Sequence, residues 1–145
     1  MGWDWFALQL TDGRDLMFYQ LRLEDGSADP LSKGVLVSVD GKPVSLSSTD
    51  VTLTVNETWE SPIDGTRYPS GWRLSEVKSG LDLLIRPLIP NQELDLTFRY
   101  WEGAVLVTGT DPEGPIEGRG YVELTGYSEP AGRGGSRASE VHRGR

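Results

Sequence analysis

The sequence predicts an all-β protein that folds as one antiparallel barrel of about 8–10 strands. Apolar and polar residues alternate along most of the chain, as they do in strands that bury one face. Gly, Pro, Asp and Asn interrupt this alternation at intervals of roughly 8–12 residues. No segment shows the longer period of a helix. A two-sheet sandwich is the alternative, but successive hairpins without a long crossover favour the barrel.

Five strands are predicted in the first half of the chain. Asp12-Gly13 and Asp40-Gly41 mark tight turns, because this dipeptide supplies the positive φ that a short hairpin requires. Pro30 lies in a polar loop between two strands. In the most regular segment Val51 and Leu53 share one face. The predicted strands cover residues 3–10, 15–23, 34–39, 44–46 and 51–59.

Five more strands are predicted in the second half. Residues 61–70 contain Pro62 and Pro69 and are predicted to form a rigid connection. From Ser128 onward the chain is rich in Gly, Arg and Ser, which predicts a disordered tail over 128–145 after a barrel domain over 2–127. The strands cover residues 71–77, 81–89, 93–100, 104–110 and 120–127.

The composition excludes several kinds of chemistry. The 145 residues suffice for one domain with its own core, and none of them is cysteine, which rules out disulfides and thiolate metal sites. The one histidine, His142, lies in the predicted tail, so the barrel has no histidine for a metal site or a catalytic triad. Glycine-rich phosphate loops and nucleophile elbows are also absent. We therefore predict no metal and no cofactor.

The charge distribution argues against nucleic acid as a partner. The net charge is −8, and residues 1–127 carry 20 acidic and 10 basic side chains, a surface that repels phosphate backbones. No apolar run approaches the roughly 18 residues of a membrane span. The N-terminus, Met1-Gly2-Trp3-Asp4, lacks the basic and apolar regions of a signal peptide, so the sequence leaves the compartment open.

Three segments carry a specific resemblance. They are Gly2-Trp3-Asp4-Trp5-Phe6-Ala7-Leu8-Gln9-Leu10, Tyr100-Trp101-Glu102-Gly103-Ala104-Val105 and Gly118-Arg119-Gly120-Tyr121-Val122-Glu123-Leu124-Thr125-Gly126-Tyr127. Together with Ser61-Pro62, Tyr68-Pro69 and Trp72, they resemble the C-terminal lipocalin-like domain of the carotenoid 1,2-hydratase/AttH family. The resemblance extends over residues 2–127.

That resemblance implies a fold and a range of functions. Family members carry two lipocalin-like barrels; some hydrate acyclic carotenoids, related fungal proteins guide Diels–Alder cyclisations, and others are exported. This chain corresponds to the second barrel. We expect it to bind a hydrophobic isoprenoid or polyene ligand, or to support a partner barrel, either an N-terminal barrel or a second copy. The alternative is that the chain is part of a hydratase (a hydro-lyase) or of a pericyclase-type enzyme. Such an enzyme would act at a two-barrel interface and would need the N-terminal barrel.

Three carboxylates are candidates for the acid of such a hydration. Protonation of an alkene needs a carboxylic acid whose pKa is raised by burial in an apolar site. By alternation Asp4 shares a face with Phe6 and Leu8, although it could instead cap the strand or pair with an arginine at the rim. Glu102 is predicted to lie at a hairpin corner. The alternative to an acid role is a structural one, in which Glu102 bonds backbone amides of the bend. Glu123 is placed on a polar face, towards solvent or another barrel.

The aromatic residues of the same segments are the candidate ligand-binding set. Aromatic faces can stabilise a carbocation through their quadrupoles, whereas packing in a barrel core is their ordinary role. The chain contains five tryptophans, and we expect one or two of them to line a pocket or an interface. The candidates are Trp3, Trp5, Tyr100, Trp101 and Tyr121.

Overall fold

The computed structural model describes residues 1–128, which form ten antiparallel strands. No helix occurs in these residues, so none of them forms a helix that could span a membrane. The all-β prediction and the number of strands are confirmed. The strands are β1 (Gly2–Leu10), β2 (Asp15–Arg22), β3 (Lys33–Val37), β4 (Pro43–Ser47), β5 (Val51–Glu60), β6 (Arg67–Glu76), β7 (Leu81–Pro87), β8 (Glu93–Asp95), β9 (Arg99–Asp111) and β10 (Gly114–Leu124).

The strands form one curled sheet, a lipocalin-like half-barrel. Nine strands follow the order β4-β3-β2-β1-β10-β9-β7-β6-β5, and β8 pairs with β9 beside them. The outermost strands β4 and β5 are joined by only residues 48–50, which brings the two ends of the sheet together at one side. Lys78 links them there, donating to the Ser45 carbonyl at 2.7 Å and lying 3.2 Å from Asp50. No ladder joins β4 to β5 within residues 1–128, so hydrogen bonds do not complete the cylinder.

Side chains fill the concave interior of the sheet. Alternate residues of each strand point inward, where burial of apolar area supplies the main stabilisation. Trp72 lies at the centre, 5.5 Å from Phe6 in an edge-to-face contact and 6.2 Å from Trp101 between ring centroids. The buried aromatic and aliphatic residues include Phe6, Leu8, Leu16, Phe18, Tyr68, Trp72, Leu74, Leu83, Ile85, Trp101, Val105, Val122 and Leu124.

The predicted rigid connection over residues 61–70 is wrong in its second half, because β6 begins at Arg67. Asn56 is an extra residue in β5 and Ser70 is an extra residue in β6, so the two register shifts compensate each other. A proline is tolerated beside such an irregularity because the ladder does not need its missing N–H there. As a result Trp59 still faces Tyr68, with ring centroids 6.1 Å apart.

Three other predicted strands have wrong boundaries, and one of them, predicted over residues 104–110, runs from Arg99 to Asp111. The segment 93–100 is not one strand, since β8 ends at Asp95 and a turn leaves Leu96 and Phe98 exposed. The last strand begins at Gly114 rather than at Gly120. Gly120 therefore lies inside β10. Glycine is required at position 120 because a Cβ at Gly120 would lie 2.1 Å from the Ala7 carbonyl oxygen. The predicted tail beyond Ser128 lies outside the described residues.

Candidate functional site

The predicted site residues lie on opposite sides of the sheet. Asp4 and Trp101 point into the interior, and Tyr100 is half-buried near the start of β9. The outward-pointing candidates are Trp3, Trp5, Glu102, Tyr121 and Glu123. The structure therefore does not bring the candidates together into one pocket.

Asp4 is the centre of a buried polar cluster at one end of the sheet. Its side chain is 2% exposed and forms an ion pair with Arg22. The Tyr127 hydroxyl lies 3.0 Å from both carboxylate oxygens of Asp4. The Arg22 guanidinium stacks 3.8 Å above the Tyr127 ring and also donates to the Thr125 carbonyl. The prediction that Asp4 lies on an apolar face is confirmed, and the alternative of an arginine pair is the contact observed.

Burial and charge act on Asp4 in opposite directions. Burial raises the pKa of its carboxyl, whereas Arg22 and the hydrogen bond from Tyr127 partly offset that rise. Burial and the neighbouring Asp4 also raise the pKa of Tyr127, which keeps its hydroxyl protonated as a donor. The cluster satisfies the buried carboxylate and fixes the segment after β10 against β1.

A second buried carboxylate, Glu93, lies beside this cluster and was not predicted from the sequence. It accepts hydrogen bonds from Ser61 Oγ at 2.5 Å and from the Tyr68 hydroxyl at 2.9 Å. The Arg99 Nε atom lies 3.7 Å from the same carboxylate. The Tyr68 and Tyr127 rings are 5.7 Å apart, so the two clusters are in contact. The only sequence signal was the presence of Ser61 and Tyr68 among the residues that carried the resemblance.

A cavity of about 590 Å³ opens beside these clusters at the surface. Trp3 and Tyr100, both predicted as ligand-binding residues, line it together with Arg99 and Phe98. Phe98 is exposed in the turn between β8 and β9, and this turn borders the cavity. The cavity thus combines aromatic walls with the outer side of the Glu93 cluster.

The convex side of β1, β2, β9 and β10 carries a continuous apolar surface, here called the outer face. Neighbouring strands place these residues in rows, in which Ala7 lies between Met17 and Tyr121, and Tyr121 between Ala7 and Ala104. Trp3 and Tyr121 are each 44% exposed and Leu106 is 53% exposed. The apolar residues of the outer face are Trp3, Trp5, Ala7, Met17, Tyr19, Ala104, Leu106 and Tyr121.

Two carboxylates of the outer face lie directly opposite each other. Glu102 of β9 pairs in register with Glu123 of β10, and Glu123 accepts a hydrogen bond from Trp3 Nε1 at 2.9 Å. Within residues 1–128 neither glutamate forms an ion pair. The predicted hairpin corner for Glu102 is wrong, because β9 runs from Arg99 to Asp111 and places Glu102 inside a continuous ladder. Glu123 points outward, and Glu102 beside it makes this part of the outer face polar.

Arg119 lies on the other side of Tyr121 from these carboxylates. Its ladder neighbours, Gln9 and Leu106, are uncharged, and it forms no ion pair within the described part of the chain. Arg119, Leu106 and Tyr121 border a shallow groove of about 400 Å³, with Ala7 and Ala104 also lining it. No group of three or more acidic or histidine side chains within residues 1–128 is arranged to hold a metal ion.

These features define the class of protein as a lipocalin-like half-barrel with a packed interior and an apolar outer face. The chain belongs to the AttH-like family, whose family model matches residues 1–127. No curated protein matches the sequence significantly.

Two solved structures are similar to the chain over 88% of its length. The protein described as AttH from Nitrosomonas europaea is 36% identical, with a TM-score of 0.75. Kievitone hydratase from Nectria haematococca is 20% identical, with a TM-score of 0.72, a level of identity that shows the fold alone. In both cases the match spans only 39% of the other protein's length. The resemblance to this family is confirmed, together with its lipocalin-like fold.

Proposed function

We propose that this chain is a supporting module whose outer face packs against a second lipocalin-like barrel. The observation that carries the proposal is the exposure of Trp3, Leu106 and Tyr121 within one continuous apolar surface. Large exposed apolar patches on soluble proteins are typical of interaction sites, and Trp and Tyr are enriched at the centres of such interfaces. The relatives of known structure contain further chain beyond the matched 39%. That additional chain is long enough to form a second barrel in those proteins.

The proposal extends to a hydrophobic ligand at the same surface. The interior is occupied by Phe6, Trp72 and Trp101, whereas the groove beside Tyr121 has apolar walls and is open. A second barrel that covered this groove would exclude water from it and so create an apolar site between the two barrels. An isoprenoid or polyene chain fits the chemistry of such a site.

Binding to a second barrel can be measured directly. The full chain is titrated with the part of the Nitrosomonas europaea AttH protein that it does not match, and its self-association is measured in parallel. Replacing Leu106 by Lys should weaken either association by roughly 10- to 100-fold, because an unpaired ammonium group would be buried. Val77→Lys is the matched control, since Val77 is also exposed but lies in the turn between β6 and β7.

Two outcomes would contradict the proposal. One is the absence of both associations at the highest soluble concentration. The other is an equal effect of the Leu106 and Val77 substitutions, which would mean that association does not use the outer face.

A second candidate function is a share in a hydratase or pericyclase-type active site at the two-barrel interface. The facing carboxylates Glu102 and Glu123 favour it, because two carboxyl groups in directly opposed positions are an arrangement suited to acid and base chemistry on a substrate held against them. Asp4 suits this role less well, since Arg22 and Tyr127 occupy its oxygens. Glu123→Gln should abolish product formation in an active two-barrel complex with a polyene substrate, while Asp4→Asn should act only through stability.

A further inference from the structure

We infer that the partner of the outer face is a second copy of this chain, related by a two-fold axis that passes over Tyr121, parallel to the sheet and perpendicular to β10. The inference rests on the proposed function and names the partner. It follows from the order of charges along β10, where Arg119, Tyr121 and Glu123 are alternate residues and all three point outward.

A two-fold axis at Tyr121 exchanges the two charged positions. Residues two apart in a strand are about 7 Å apart, so Arg119 and Glu123 lie at equal distances on either side of the axis. Rotation by 180° therefore places Arg119 of each copy over Glu123 of the other, with Tyr121 facing its own counterpart. Packed sheets cross at about 30°, which displaces these positions by only about 4 Å, within the reach of an arginine side chain.

The same arrangement resolves two unfavourable features of the single chain. Glu102 and Glu123 are like charges in directly opposed ladder positions, an arrangement that is destabilising in a sheet. Arg119 has no acid opposite it on either neighbouring strand. Placing the Arg119 of the second copy against both glutamates would supply the missing counter-charge on each side of the interface.

Arg119 is exceptional among the basic residues of this acidic barrel. Residues 1–127 contain ten basic side chains, and within the described residues only Lys33 and Arg119 have no carboxylate within ion-pair distance. Lys33 lies at the edge of the convex side, next to Tyr19 in register. Arg119 instead lies on β10, one row from Tyr121. A cation without a counter-charge beside an apolar row fits a surface whose counter-charge comes from elsewhere.

The apolar rows obey the same symmetry. The row through Ala7, Tyr121 and Ala104 contains the proposed axis and carries no charge. The charged positions occur one row away on either side. An isologous interface requires such a self-complementary pattern, with a neutral centre and opposite charges at equal distances from it.

Charge reversal tests this register. The first variant is Arg119→Glu, and the second combines Glu123→Arg with Glu102→Gln, so that the new arginine has no acid opposite it within its own sheet. Each variant alone should self-associate at least about 10-fold more weakly than the wild type, because like charges would face each other across the axis. An equimolar mixture of the two should form a heterodimer of approximately wild-type affinity. Sedimentation equilibrium measures each constant, and circular dichroism verifies that the variants are folded.

Arg67→Glu is the matched control, because Arg67 is an exposed arginine of β6 outside the outer face, and its self-association should equal that of the wild type. A mixture that associates no more strongly than the separate variants would overturn the two-fold register. A wild-type chain that stays monomeric would overturn the inference as a whole. Binding to the barrel of the relative, with sensitivity to Leu106→Lys, would in either case leave the proposed function intact.

Discussion

The Tyr127 hydroxyl lies 3.0 Å from each carboxylate oxygen of Asp4, although the two residues are 123 positions apart in the sequence. This contact fixes the end of the described chain to the first strand. Arg22 completes it by pairing with Asp4 while stacking on the Tyr127 ring. The three side chains therefore close one end of the half-barrel.

Tyr127→Phe should lower the free energy of unfolding by about 1–2 kcal/mol, because a buried carboxylate loses a hydrogen-bond donor. The ring and its contact with Arg22 are kept, so the effect isolates the hydroxyl. Urea denaturation measures it. Tyr100→Phe is the control, since Tyr100 is half-buried like Tyr127 but its hydroxyl forms no hydrogen bond within residues 1–128, so its substitution should change stability much less. Equal losses for both variants would show that the Asp4 contact contributes nothing specific.

The pH dependence of stability should reveal the burial of Asp4. Because burial raises its pKa above the ordinary value of 3.8, the folded protein retains this proton to a higher pH than the unfolded chain does. The contribution of Asp4 is therefore fully present below pH 3.8 and is lost as the pH rises through the folded-state value. The unfolding free energy of the wild type minus that of Asp4→Asn should therefore decrease as the pH increases.

Asp12 should behave in the opposite way. The hydrogen bond from the Arg14 side chain is the main cause of its lowered pKa, so its contribution is present above pH 3.8 and is lost as the pH falls through the folded-state value. The destabilisation caused by Asp12→Asn should then be present at neutral pH, below about 1 kcal/mol for a partly exposed pair, and vanish in acid. If Asp4 followed the Asp12 trend, the Arg22 ion pair would outweigh the burial of Asp4.

Two buried tryptophans allow a matched comparison of one hydrogen bond. Trp101 Nε1 donates to the Pro90 carbonyl at 2.8 Å, whereas Trp72 Nε1 has no partner within residues 1–128. Replacing either residue by Phe removes a similar volume from the interior. Trp101→Phe should be the more destabilising by about 1 kcal/mol, because it also leaves the Pro90 carbonyl without its donor. Thermal unfolding of both variants provides the comparison, and a larger loss for Trp72→Phe would contradict it.

Gly120→Ala should be among the most destabilising single-methyl additions in this chain. The new Cβ would lie 2.1 Å from the Ala7 carbonyl oxygen, so β1 and β10 would have to separate. We expect a loss of roughly 1–3 kcal/mol, the usual effect of overpacking, measured by denaturant unfolding. Gly71→Ala is the control, because its Cβ would approach only the Glu57 side chain, at 3.2 Å. Similar stability of the two variants would mean that the strands adjust without cost.

Local alternation was sufficient to predict most strands and the inward position of Asp4. It failed where its period was interrupted without a change in composition. The segment 93–100 alternates throughout, yet it turns after Asp95, and Phe98 is exposed instead of packing. The strand predicted over residues 120–127 would place Tyr127 on the same side as Tyr121 and Glu123, but β10 ends at Leu124 and the chain then turns Tyr127 towards Asp4.

The candidate site was predicted only in part for a similar reason. Alternation assigns a residue to a side of the sheet, so it separated Asp4 from Trp3 and Trp5 correctly. It does not give the register between strands that are distant in sequence. The opposition of Glu102 and Glu123, and the contact of Glu93 with Ser61 and Tyr68, depend on that register.

The sequence by itself determined that the chain is all-β, that about ten strands form it, and that it resembles the AttH family, because strand periodicity, turn dipeptides and family motifs are local properties. Only the tertiary structure decided that the interior is filled, that the sheet ends as a half-barrel at β4 and β5, and that Arg119, Tyr121 and Glu123 stand in line on an exposed face. These properties depend on how the sheet curls and on which strands become neighbours. That is set by packing between residues far apart in the chain.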